Sequence, residues 1–115
     1  MTAPTPEQVA AVAGRRPGQT RIMVCADLTA THHCVEGHPH EHTWHITAWF
    51  GAPARADARL YLAALDMLLD PLQGSTLPIG ADWNEDICER VSMLCNCVRV
   101  RVWRQADRLG AEWSA

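Results

Sequence analysis

The 115-residue chain is 48% apolar, carries ten arginines, no lysine and thirteen acidic residues, and has a formal net charge of −3. That is room for one folding unit with a modest core, a size at which association with further copies often adds stability, and it excludes two enzyme domains. The missing basic stripe argues against nucleic-acid binding, and the missing lysine excludes Schiff-base chemistry.

Residues 1–18 hold Pro4, Pro6, Pro17 and Gly18 around "EQVAAVAG" and read as an N-terminal extension with a helical turn or two, ahead of a single domain over 19–115. From Thr20 to Ala30, Ile22, Val24, Ala26 and Leu28 alternate with Arg21 and Asp27, as a half-buried strand requires. A second strand is expected from about His40 to Phe50, where Trp44, Ile46, Ala48 and Phe50 share one parity with His40 and His42. "DARLYLAALDMLLDP" places Leu60, Leu65, Leu68 and Leu69 at helical spacing and stops at Pro71. A second helix is expected to open at "DWNE", with Asp82 as cap, Glu85 completing a capping box, and Ile87, Val91 and Leu94 on its buried face. "CVRVRVWR" then alternates Val98, Val100 and Val102 with Arg99 and Arg101, and "AEWSA" reads as a short last strand or tail.

The five cysteines are odd in number and lack paired CxxC spacing, which points to a reducing cytoplasm rather than a disulfide framework. No stretch has the roughly eighteen apolar residues of a membrane span, and no export signal opens the chain, so a soluble cytoplasmic protein is expected.

All six histidines fall within His32–His45, interleaved with Cys34, Glu36 and Glu41. Two histidines at i and i+2 on a strand point the same way, so His40 and His42 can share an ion with an upstream imidazole. Three neutral nitrogens would leave a tetrahedral Zn2+ one open position, the arrangement of catalytic rather than structural zinc. A solvated histidine loop without a ligand is the alternative.

"LTATH" (Leu28 to His32) followed by "HEHTW" (His40 to Trp44) resembles the 6-pyruvoyltetrahydropterin synthase and 6-carboxytetrahydropterin synthase family. That family's first strand ends in Phe-x-Ala-x-His and its second opens with His-Gly-His-x-Tyr. "NEDICERV" (Asn84 to Val91) is similar to its Glu-Asn-Ile-Ala helix start, with Glu85 in the glutamate place, and "LLDP" (Leu68 to Pro71) to its Leu-Asp-His segment. The resemblance spans about Arg21 to Trp113. It implies an α+β T-fold, an antiparallel four-stranded sheet with two helices on one face, assembling as a homo-oligomer into a barrel, a trimer or a hexamer. It also implies zinc ligands His32, His40 and His42, a small-molecule pterin-like substrate, and lyase or cyclase chemistry in which dihydroneopterin triphosphate loses triphosphate.

The base that the resemblance implies is Glu36, four residues before the His40/His42 pair; a competing register takes Cys34 with His38 and His40. The first also puts Trp44 at the family's aromatic position and supplies His32 upstream. Asp70 matches the family's second catalytic unit, but Pro71 stands where a histidine belongs, and Asp70 is alternatively a solvated helix end. Where the family's last major strand ends in a pterin-binding glutamate, this chain has Arg104. A guanidinium only donates hydrogen bonds, so it suits a carboxylate, phosphate or carbonyl oxygen instead. Glu85, Arg104 and Trp44 are thus the expected substrate neighbours. Three functions follow: an authentic zinc lyase of this family, a zinc T-fold enzyme repurposed for a non-pterin substrate, or a non-catalytic metal-binding T-fold protein.

Overall fold

A computed structural model describes residues 2–13, 20–33, 38–51 and 55–115. Helix α1 (Pro6–Ala13) opens on a capping box: the Gln8 amide donates to Thr5 Oγ1 at 3.1 Å, and the Thr5 amide donates to Gln8 Oε1 at 2.9 Å. Two long strands follow, β1 (Ile22–His33) and β2 (Pro39–Phe50), then α2 (Ala58–Leu69), a 3-10 turn (Asp70–Leu72), α3 (Asn84–Ser92), β3 (Cys97–Arg104) and β4 (Leu109–Ser114). The strands form one antiparallel sheet in the order β1-β2-β3-β4. The architecture is therefore α+β around a four-stranded antiparallel sheet. None of the described helices is long and apolar enough to cross a membrane.

Strand alternation places the core. Val24, Leu28 and Ala30 of β1, Trp44, Ile46, Ala48 and Phe50 of β2, and Val100 and Val102 of β3 all point to one buried face. Leu65 and Leu69 of α2 and Ile87, Cys88 and Val91 of α3 close over it as a single cluster. Helix α2 packs on β1, and α3 on β3 and β4. In α2 the inward stripe is Tyr61, Leu65, Leu68 and Leu69, so Leu60 lies one position off the stripe and is exposed.

The start of α3 differs from the expectation. Trp83 is the N-cap, its amide donating to the Asp86 carboxylate at 3.1 Å, so the box sits one residue later than Asp82/Glu85. Asp82 is instead drawn to β1, where its carboxylate accepts the His33 backbone N–H at 2.8 Å. The outer edge of β1 near this point is satisfied by the segment between the helices. The Thr31 amide donates to the Ser75 carbonyl and the Leu77 amide to the Thr31 carbonyl, each at 2.8 Å, while Gln73 bridges the Thr29 amide and the Asp27 carbonyl. These ties hold the end of β1, and with it His32, against the rest of the fold.

Candidate functional site

The β1–β2 register pairs His32 with His40 and Ala30 with His42, bringing three imidazoles to one end of the sheet's buried face. Ring centroids lie 4.5 Å apart for His32 and His42, 6.1 Å for His40 and His42, and 6.5 Å for His32 and His40. Three imidazoles around one zinc, with Zn–N about 2.1 Å, have centroids roughly 5 Å apart. The rings are thus gathered at nearly the spacing of a shared ion. Their donor nitrogens have not converged on a point, and among the described residues no trio of His, Cys, Asp or Glu stands in finished metal-holding geometry.

The surroundings explain the gap. His32 is buried, and its Nε2 receives a hydrogen bond from Arg104 Nη1 at 3.3 Å. Arg104 Nη2 pairs with Asp107 Oδ2 at 2.6 Å, and that same oxygen stands 3.9 Å from His42 Nδ1. Trp44 forms the floor: it is fully buried, edge-on to both His32 and His42, with its Nε1 donating to Asn84 Oδ1 at 2.9 Å. Having no exposed surface, Trp44 supports the rings from beneath.

Burial pushes the His32 imidazole below its ordinary range, with the neighbouring His42 and Arg104 acting in the same direction. Burial and then Arg104 do the same to His42. Both rings are therefore held neutral near pH 7, the state a metal ligand requires. The donor chemistry of the three imidazoles, and the lowered pKa of His32 and His42, suit a divalent ion, although the rings would have to draw closer to share one.

A cavity of about 300 Å³ adjoins the cluster, lined by His32, Asp82, Trp83, Asn84, Glu85 and Arg104 together with Leu109 and Gly110. Glu85 and Arg104 thus come together where a small molecule beside His32 would lie. Asp70 does not line this cavity; it is exposed where α2 passes into the 3-10 turn, its carbonyl accepting the Gln73 amide. Cys34 and Glu36, the two candidate bases, lie outside the described residues. His45 faces the opposite side of the sheet, as its parity requires, and pairs with Asp27 at 2.8 Å. His33 has its Nδ1 at 3.8 Å from Asp82, and His38 is an exposed residue just before β2.

Two residues enter the site without a sequence signal. Asp107 arrives through the β3–β4 turn, and Asp82 arrives by capping β1 instead of α3. Four buried polar side-chain atoms lack a partner among the described residues, namely His32 Nδ1, His33 Nδ1, Asp82 Oδ1 and Arg104 Nε. All belong to this corner of the molecule, and three of the four side chains line the cavity. Comparison of the chain with protein-family models, curated proteins and solved structures finds no significant match in any of the three.

Proposed function

We propose that the chain is a zinc-assisted lyase or cyclase resembling 6-pyruvoyl- or 6-carboxytetrahydropterin synthase, with His32, His40 and His42 holding the ion and the adjoining cavity holding a small, pterin-like molecule. The observation that carries this reading is the gathering of three imidazoles from two adjacent strands beside a cavity lined by Asp82, Glu85 and Arg104. Bound there, zinc supplies Lewis acidity toward a hydroxyl or carbonyl oxygen of the substrate. Trp44 and Asn84 fix the floor of the site, and Asp82 and Glu85 offer acceptors to donor groups of the ligand. Glu36, or Cys34 in the other register, is assigned the proton transfer.

Arg104 favours a second reading, the same zinc chemistry on a non-pterin substrate. A guanidinium in the cavity wall matches a carboxylate, phosphate or carbonyl oxygen. Incubation of zinc-loaded protein with dihydroneopterin triphosphate tests the two. Triphosphate release that disappears in H42A supports the first; a protein that takes up zinc through the three histidines but releases none supports the second.

Assembly into a T-fold trimer or hexamer in the cytoplasm belongs to the same proposal. It is supported by the sheet face opposite the helices, which carries the exposed Met23 and Cys25 alongside Trp49 and Trp103. Mass measurement by native mass spectrometry tests it, with a monomer at micromolar concentration as the contrary result.

A further inference from the structure

We infer that the Arg104 guanidinium and a divalent cation are alternative occupants of the histidine cluster, so that metal loading expels Arg104 and Arg104 sets the affinity of the site. The inference rests on the three-histidine reading above and adds a residue that opposes it.

The exclusion is atomic. A guanidinium has no lone pair to give, so in the contact at 3.3 Å Arg104 Nη1 is the donor and His32 Nε2 the acceptor. The imidazole is then the tautomer with its proton on Nδ1, the buried atom that has no partner. A metal taking Nε2 needs the lone pair that Arg104 now uses. A metal taking Nδ1 instead leaves the proton on Nε2, which turns the same contact into donor against donor. Either way, ligation by His32 breaks the hydrogen bond to Arg104.

Charge works in the same sense. The guanidinium is always protonated and its side chain is only 12% exposed, and a divalent ion among the three rings would sit within a few ångströms of it. Asp107 offsets this repulsion only in part, because its carboxylate is one charge shared between Arg104 at 2.6 Å and the approach to His42 at 3.9 Å. Arg104 also has somewhere to go: the adjoining cavity, which both it and His32 line, is lined as well by Asp82 and Glu85. Freed of Arg104, Asp107 is placed to accept a hydrogen bond from His42 Nδ1–H, which would leave Nε2 of that ring for the metal. The Arg104–Asp107 pair thus lies against the rings, touching His32 and approaching His42, where an ion would compete with it.

The test is zinc affinity of the stripped full-length chain, read by competition with a chromophoric chelator, for wild type, R104Q, R104K and H42A, with thermal melts to verify folding. Removing the charge in R104Q should tighten zinc by about tenfold or more, while R104K, which keeps the charge, should stay closer to wild type. R104Q binding no more tightly than wild type, with H42A abolishing binding in both backgrounds, overturns the exclusion while leaving the histidine site intact. Zinc uptake that survives H42A, or no uptake by any variant, removes the three-histidine reading and the inference with it. Should R104Q fail to fold, the Arg104 side-chain Nε–H resonance of the wild type serves instead. It should shift on zinc addition as the contact with His32 is lost, and a resonance unmoved at saturating zinc overturns the inference.

Discussion

Asp82, with 1% of its surface exposed, accepts the backbone N–H of His33 at 2.8 Å and so fastens the end of β1 to the residue before the N-cap of α3. This one bond links the strand that carries His32 to the helix that carries Asn84 and Glu85, and hence the candidate metal ligands to the wall of the cavity. D82A should cost about 1–3 kcal/mol, because it strands a backbone donor as well as losing the bond. D82N keeps an acceptor oxygen and should lose less. Urea denaturation of both variants measures the difference, and equal losses would assign the effect to the charge rather than to the bond.

Stability of the metal-free protein should fall in mild acid. The pKa values of His32 and His42 are lowered in the fold, so as pH drops the unfolded chain takes up protons that the native site resists. The contribution is complete above the ordinary imidazole value of about 6.5, is lost as pH falls toward the folded values, and changes no further below them. Thermal melts in chelator from pH 8 to pH 5 should show this slope, and a variant with both histidines replaced by asparagine should lack it. Identical slopes in the two proteins would contradict the assignment.

Cys88 should resist thiol reagents in the native protein. It lies on the buried face of α3, its Sγ donates to the Ala111 carbonyl at 3.3 Å, and burial pushes its pKa up to about 11. Cys95 is exposed just after the same helix. Alkylation at pH 8 followed by peptide mass mapping should find Cys95 modified and Cys88 untouched until denaturant is added. Comparable rates at the two positions would mean that α3 opens readily from the sheet.

The β3–β4 hairpin should tolerate no side chain at position 110. Gly110 lies opposite Trp103, and a Cβ there would run into the Val102 carbonyl oxygen and the Trp103 Cα, both of them backbone atoms that cannot turn aside. G110A should therefore cost about 1–3 kcal/mol. Because this hairpin carries Arg104 and Asp107, zinc affinity should change together with stability. A variant as stable as wild type in urea would show that the strands can separate at this point without penalty.

What could be read beforehand was whatever repeats with a period. The parity of Val24, Leu28, Trp44, Ile46, Val100 and Val102 exposed the buried face of the sheet, and the same parity put His40 and His42 on one side of β2. Where one residue had two possible partners, reading the sequence failed. Asp82 looks like a helix cap in "DWNE", yet the His33 amide claims its carboxylate, and the cap passes to Trp83. Leu60 fits a helical spacing, but α2 turns Tyr61, Leu65 and Leu69 to the core and leaves Leu60 exposed. Trp44 shares the core parity of β2, and the structure buries it fully with its Nε1 on the Asn84 oxygen. Asp107 was illegible because its approach to His42 depends on where a turn brings the chain back, 65 positions later in the sequence.

X-ray absorption at the zinc edge of the loaded protein probes the metal centre most directly. The proposed site should give a first shell of four nitrogen or oxygen atoms at about 2.0–2.1 Å, with imidazole outer-shell features that diminish in H42A. A shell containing sulfur, a shell of six oxygens, or an H42A spectrum indistinguishable from wild type would contradict it.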